Sequence, residues 1–537
     1  MHQLARRISP TTLFMLSMNG IIGSGWLFVP FYAAKIAGPS AIFAWVIGGF
    51  AAILIAFTFA ELSTMLPVTG GSAHIPQLSH GALASFVLSF IAWITSVVLA
   101  PIEVQAVLQY ASLFFPWLIY QSAGGVAVLT IWGYLWAAIL MISLCLVNIF
   151  SYQGLVRFNF LLFVFKMLVI LLTIFAVFHT RFYSSNFSDL TVSLFSTQGI
   201  QAILSAVATS GIVFAFNGFK NGVDLAGETK NLKIAIPLST IGSVMVSLLL
   251  YLGLQICFIG ALSPDSIKGG WQSLQFTGDI GPFVGLAAGL GLIWLLKLLY
   301  VNSVVSPLGA GLIYVTATAR IVYAMSRIGY VPRFLSRLNH QKFPVWAIVI
   351  NFLIGMLSFL PLPGWKAMVS FLVSAMVISY AMGPIALMSL RLTLPEKERP
   401  FRLKAANLLC PIAFYCCNLF SYWTGWETIS KLGMTLFVGL MVFLLAYFRG
   451  NVKITQDDFK SAYWIIFYLL GLIVISYLGS FGGKNWIPFG WDFLIIALFS
   501  MGILRMAVQS RAALNSEKVD EFLALESASE LEALEYS

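Results

Sequence analysis

Apolar segments long enough to cross a bilayer follow one another almost without pause from residue 13 to residue 506. Fourteen can be read, at roughly 13–35, 41–66, 84–115, 126–150, 156–179, 199–219, 237–261, 283–319, 344–362, 367–391, 405–425, 429–448, 462–480 and 488–506. Hydrocarbon offers a backbone no hydrogen-bond partner, so each crossing has to be a helix. The predicted fold is therefore an all-α integral membrane protein with about fourteen transmembrane helices. Composition leaves no aqueous alternative. Only 9% of the 537 residues are charged and 60% are hydrophobic, whereas a soluble chain carries about 25% charged residues.

The charges that remain are placed unevenly. With the N-terminus inside, 21 of the 30 Lys and Arg residues fall in cytoplasmic regions and 6 in outer loops, while Lys166, Lys220 and Lys297 lie within or at the edge of segments. The positive-inside rule then predicts both termini in the cytoplasm of a multi-pass inner-membrane protein. No Lys/Arg run interleaved with aromatics points to nucleic acid. The five cysteines, Cys145, Cys257, Cys410, Cys416 and Cys417, lack metal-ligand spacing and read as small core residues, so no metal or cofactor is expected. Residues 1–12 read as a cytoplasmic N-terminus without a cleavable signal. Residues 507–537 read as an acidic cytoplasmic tail. In it Glu517, Glu521, Glu526 and Glu530 alternate with Phe522, Leu525 and Leu531, a pattern that suits a short amphipathic helix or a docking tail.

Two segments are weakened at mid-depth. The first carries Gly20-Ile21-Ile22-Gly23-Ser24-Gly25, and the sixth carries Ser210-Gly211 followed by Phe214-Ala215-Phe216-Asn217-Gly218-Phe219. Glycine costs a helix about 1 kcal/mol, and freed backbone groups are tolerated in a membrane only beside protein or a cavity. Close helix crossings would also use such glycines. Their placement in the first and sixth segments fits an inverted five-plus-five repeat, in which facing half-helix ends offer N–H groups to a carboxylate and C=O groups to an ammonium.

These runs resemble motifs of the amino acid–polyamine–organocation superfamily of secondary transporters. Ala60-Glu61-Leu62 with Leu66-Pro67-Val68-Thr69-Gly70-Gly71-Ser72 resembles the end of its second helix, Ala226-Gly227-Glu228-Thr229 its sixth-helix exit, and Arg399-Pro400-Phe401-Arg402 the loop after helix ten. The bacterial aspartate:proton symporter branch is similar in look. The resemblance implies a ten-helix inverted-repeat transport core over residues 13–392, with interrupted helices one and six. It also implies four peripheral helices over 405–506 and an amino acid bound between helices one and six. Ile21, Ile22, Gly23, Ser24, Gly25, Phe214, Ala215, Phe216, Asn217 and Gly218 are then the candidate substrate-binding residues, with Lys220 beside them.

Ionisable residues inside apolar segments need a reason, since a lysine at a helix centre costs about 2.5–3.5 kcal/mol. Lys166 interrupts the fifth segment. It is similar to the lysine that, in proton-coupled members of the superfamily, takes the place of a sodium ion. A permanent cation paired with first-helix carbonyls is the alternative. Glu103, two residues after Pro101 in the third segment, reads as a buried partner of Lys297 or as a proton carrier. Lys220 follows Gly218-Phe219, where many members carry an acid. It is expected either to pair with Asp224 or to receive an anionic substrate side chain.

The function expected is proton-coupled amino acid transport across the lipid bilayer, with aspartate or glutamate as substrate. An exchanger of the same fold is the alternative. A membrane enzyme would need a polar constellation near an interface, and none is found; a non-transporting sensor has little use for intact helix-breaking runs. The orientation has a direct test. In a cysteine-free background, Ser273→Cys should be labelled by an impermeant maleimide from outside and Arg337→Cys should be labelled only after permeabilisation; the reverse pattern would invert the topology.

Overall fold

The structure, a computed structural model, describes residues 8–122, 127–150, 152–190, 192–275, 281–339, 343–448 and 455–513, with Glu517, Val519 and Glu521 of the tail. Glu517, Val519 and Glu521 are helical; the rest of the amphipathic helix expected in that tail, and residues 1–7, lie outside the described residues. The helices are α1 Pro10–Ile21, α2 Gly25–Ala37, α3 Ala41–Met65, α4 Gly71–Ala111, α5 Ile131–Phe150, α6 Tyr152–Thr180, α7 Thr197–Thr209, α8 Lys220–Asp224 and α9 Leu232–Pro237. They continue with α10 Ser243–Ala261, α11 Pro282–Gly289, α12 Ile293–Ile328, α13 Val345–Ser358, α14 Gly364–Thr393, α15 Ala406–Trp423, α16 Trp426–Phe448, α17 Gln456–Leu478 and α18 Trp491–Gln509. Among the described residues, nine helical stretches are long and apolar enough to cross a membrane, or ten when the bent pair Thr197–Thr209 and Phe214–Asp224 is one span.

Local chemistry sets several boundaries. Ser9 caps α1 by accepting a hydrogen bond from the Thr12 N–H, and Pro10 occupies the first turn, where its missing N–H costs nothing. Gly38, at φ 58°, and Pro39 part α2 from α3. Three features depart from the sequence expectation. A short antiparallel pair, β1 Ile119–Gln121 with β2 Ala127–Leu129, interrupts the all-α pattern. An additional helical stretch from Gly71 precedes the segment expected near residue 84, and a kink at Gly81 (φ 77°, ψ −174°) separates the two within α4. The segment expected at 283–319 is split by a turn at Gly291 (φ 70°), so α12 starts at Ile293.

Side chains on the rim of the bundle confirm which solvent surrounds it. On α5, Ile131, Leu135, Ile139, Ile142 and Leu146 are all exposed, a helical stripe that only acyl chains can cover without penalty. Some of the polar groups in the interior pair across helices. Trp45 Nε1 donates to Gln255 Oε1 at 2.8 Å, and Gln255 Nε2 in turn donates to the Pro30 carbonyl at 3.0 Å.

One end of the bundle is tied together by contacts between distant segments. Ile8 N donates to the Glu228 carbonyl and Lys230 N donates back to the Ile8 carbonyl. Glu228 itself pairs with Arg320 at 2.9 Å. Buried Glu61 accepts from Arg391 Nε at 2.8 Å, lies 3.2 Å from Arg399 Nε and takes the Leu403 N–H at 2.6 Å. This folds the Arg399-Pro400-Phe401-Arg402 loop back onto α3. At the same end Thr455 and Asp458 form a capping box for α17, and Asp458 Oδ1 also accepts the Ala82 N–H at 2.8 Å beside the Gly81 bend. His80 Nε2 meets the Ala507 carbonyl at 3.0 Å, and Ala512 N donates to the Ser79 carbonyl.

Removing one member of a buried ion pair costs about 3–5 kcal/mol, because the partner charge stays buried. Glu61→Ala strands two guanidinium groups and should lower the melting temperature of detergent-solubilised protein far more than Glu427→Ala, whose exposed pair with Lys431 contributes at most about 1 kcal/mol. Equal effects would show that the Glu61 cluster carries no stability.

Candidate functional site

The chain leaves helical geometry between α1 and α2, and five carbonyls there lose or weaken their helical partners. Each is met by a side chain from elsewhere. Lys166 Nζ, on α6, donates to the Asn19 carbonyl at 3.1 Å and to the Ile22 carbonyl at 2.7 Å. The Tyr314 hydroxyl on α12 donates to the Gly20 carbonyl. Tyr251 on α10 donates to the Ile21 carbonyl at 3.0 Å and contacts the Ala215 carbonyl at 3.3 Å. Ser306, also on α12, bridges the Ile22 and Gly23 carbonyls, both at 3.1 Å. A buried polar group left unpaired costs about 1–3 kcal/mol, so these partners are what makes the break stable in a membrane.

The N–H side of the break is met by a carboxyl group. Glu103 Oε2, on α4, accepts the Ser24 N–H at 2.7 Å. Glu103 Oε1 is buried with no hydrogen-bond partner and presses on Gly23, where a Cβ would stand 2.4 Å away. Lys166 lies within electrostatic reach of Glu103. A glycine on α12 makes room for the lysine: a Cβ at Gly309 would sit 3.2 Å from Lys166 Nζ.

The sixth segment bends by 43° between α7 and the stretch Phe214–Asp224, where Gly211 adopts φ 100°. The two breaks touch backbone to backbone. A Cβ on Gly218 would stand 2.2 Å from Ile21 N and 2.5 Å from Gly20 C, so only glycine fits there. On the side away from the tied end, Trp365 covers the break. Its indole donates to Ser24 Oγ at 2.8 Å and lies nearly parallel to the rings of Phe28 (5.0 Å) and Tyr32 (5.8 Å). Phe214 meets the same indole edge-on at 5.8 Å.

On the other side lies a small cavity, lined by Asn217, Lys220, Asn221 and Asp224 from the sixth segment and by residues of α4, α12 and α14. Of the eleven residues singled out for substrate binding, Asn217 and Lys220 line this cavity. Ile21, Ile22, Gly23, Ser24, Gly25, Phe214, Ala215, Phe216 and Gly218 are buried in the contact between the breaks. Asn217 Oδ1 accepts from the Tyr380 hydroxyl at 2.5 Å. Asn221 is buried and its Nδ2 has no partner.

Two expected ion pairs are not made. Lys297 is exposed on the α12 stripe shared by Ile293 and Val301, where its stem lies along apolar surface and its head reaches outward. It is therefore not the partner of Glu103, which serves Ser24 instead. Among the described residues no ion pair joins Lys220 to Asp224 either. The Lys220 ammonium turns to Ser379 Oγ at 3.4 Å and lies over the rings of Phe59 and Tyr380 at 5.3 and 5.2 Å. Asp224 Oδ1 accepts from Ser72 Oγ at 2.8 Å. Lys220 is the first residue of α8, as expected, and a 3-10 turn over Phe214–Phe219 leads directly into it. Tyr251, Tyr314, Ser306 and Trp365 are site residues that sequence reading missed. Each is one polar group in an apolar helix, a pattern that self-satisfied residues such as Thr173, bonded to the Val169 carbonyl, display equally.

Gly218→Ala should abolish amino acid binding measured by scintillation proximity, since overpacking here drives backbone from backbone. Gly502→Ala, with open space around its Cβ position, should leave binding unchanged. Normal binding by Gly218→Ala would mean that the contact between the breaks is not needed.

Comparison with known proteins places this geometry. A family model described as amino acid permease matches residues 8–471. The chain is 37% identical over 516 residues to the glutamate/serine transporter AimA of Bacillus subtilis, covering 95% of both proteins. It is 34% identical over 515 residues to the aspartate-proton symporter of the same organism, covering 94% of this chain and 97% of the symporter. In fold it is similar to the crystal structure of a mutant manganese transporter from Eremococcus coleocola, with a TM-score of 0.52 at 12% identity over 91% of this chain and 96% of that one. With its many apolar helices, the chain is a multi-pass membrane protein of the amino acid permease family, a transporter and not an enzyme.

Proposed function

We propose that the protein is a proton-coupled transporter of acidic amino acids. The observation that carries this reading is the single ammonium that Lys166 places on the carbonyls of Asn19 and Ile22 at the break in the first span. A fixed side-chain cation at that point supplies the charge that a bound sodium ion otherwise brings, so the driving ion is the proton. Glu103, within electrostatic reach of Lys166, is the second member of the proton-coupling pair. Selectivity rests with Lys220, whose ammonium reaches into the cavity and is met there by aromatic faces and a hydroxyl rather than by a carboxylate. An anionic substrate side chain completes its coordination. The names of the relatives, a glutamate/serine transporter and an aspartate-proton symporter, support both halves of the reading.

The architecture that goes with it is a core of ten spans in two inverted five-helix repeats over residues 13–392. The first and sixth spans are interrupted, and four peripheral spans over 405–506 bring the total to fourteen. The tied end of the bundle faces the cytoplasm of a bacterial inner membrane, as the uneven placement of Lys and Arg supports. Transport then proceeds by alternating exposure of the breaks.

Purified protein in liposomes tests this directly. Labelled aspartate should accumulate under an inward proton gradient and should show no dependence on sodium. Lys166→Ala should lose gradient-driven accumulation. Lys220→Glu should weaken aspartate binding about ten- to a hundredfold, the worth of one charge-assisted contact, and should affect serine much less. Sodium-dependent uptake, or unchanged accumulation by Lys166→Ala, would overturn the coupling reading. Wild-type protein indifferent to acidic amino acids would overturn the substrate reading.

A further inference from the structure

The N-terminus of α2 is capped in an unusual way. Ser24 occupies the N-cap position, yet its side chain makes no capping bond; it is held instead by the Trp365 indole. The Ser24 N–H goes to Glu103, 79 residues away in the chain and on another helix. At the opposite side of the break the carbonyls of Asn19 and Ile22 face the Lys166 ammonium. The chain thus surrounds its own break with a carboxylate on the N–H side and an ammonium on the C=O side. These are the two charges of an amino acid zwitterion, in the places a bound one needs.

We propose that Glu103 is the resident occupant of the substrate-carboxylate position. In the empty transporter it holds the Ser24 N–H, and it leaves when the amino acid's carboxylate arrives. This rests on the reading above that an amino acid is bound at the break. Three features distinguish an exchangeable occupant from a permanent cap. Only one of the two carboxyl oxygens is engaged, the other being buried without a partner against Gly23. The carboxyl belongs to a side chain with rotatable bonds, anchored on a different element from the one it caps. A second charge is near it, since Lys166 interacts electrostatically with Glu103. No covalent step is involved: one carboxylate replaces another at the same N–H, and the departing one remains beside an ammonium.

A ligand whose site is filled part of the time binds with its affinity multiplied by the fraction of time the site is free. Titration of labelled aspartate onto the full chain in nanodiscs, with and without excess acetate, tests the proposal. Wild-type binding should ignore acetate, because Glu103 already fills the position. Glu103→Ala should bind aspartate about tenfold more tightly, as expected where the position is free one-tenth of the time. Acetate should now compete, because the vacated N–H accepts any small carboxylate. Glu103→Gln, which preserves shape but lacks the charge, should lie between the two. If both variants keep the wild-type melting temperature yet bind aspartate no more tightly and ignore acetate, Glu103 is a permanent cap. Should Glu103→Ala fail to fold, infrared difference spectra of wild-type protein decide. Adding aspartate should shift a carboxylate band that is missing from Glu103→Gln, and an unshifted band overturns the proposal. Wild-type protein that binds no acidic amino acid sinks the substrate reading alone, and the same series run with the amino acid it does bind still decides this one.

Discussion

Everything around the site follows from a shortage of hydrogen-bond partners at mid-membrane. A helix can stop there only if other side chains take over its freed N–H and C=O groups. Here a lysine, a glutamate, two tyrosines and a serine do so, drawn from α4, α6, α10 and α12. The site is therefore also the place where several helices are held in register. Binding and fold share the same bonds, and a change that repositions one helix re-partners the break.

The glycines show how narrow the tolerance is. Gly218 brings the second break against the first at a separation no side chain permits, and Gly23 lets Glu103 reach the backbone. Aromatic packing of Phe28, Tyr32 and Trp365 covers one side of this contact while the cavity lies on the other. That asymmetry is what a carrier needs in order to expose its site to one compartment at a time.

Much of this was legible in the chain. The run from Gly20 to Gly25 marks a break because four small residues within six weaken a helix wherever it lies. Lys166 stood out because an ammonium in a Phe- and Leu-rich helix needs a partner, and backbone carbonyls were among those considered. The partner of Glu103 was not legible. A backbone N–H has no sequence signature, so an apolar helix bearing Lys297 looked like the natural counterpart. The Gly291 turn, which sets Lys297 on the exposed stripe of α12, is visible only in three dimensions.

The Gly81 bend carries a consequence for how the chain assembles. Its neighbours are completed from the far end of the sequence: Asp458 takes the Ala82 N–H, and His80 meets the Ala507 carbonyl across 427 residues of chain. A ribosome delivers α4 long before α17 and α18 exist. During insertion, then, α4 waits without these contacts until the last helices arrive. The last helices thereby complete the surroundings of the Gly81 kink, and a chain that ends before them leaves these polar groups uncovered.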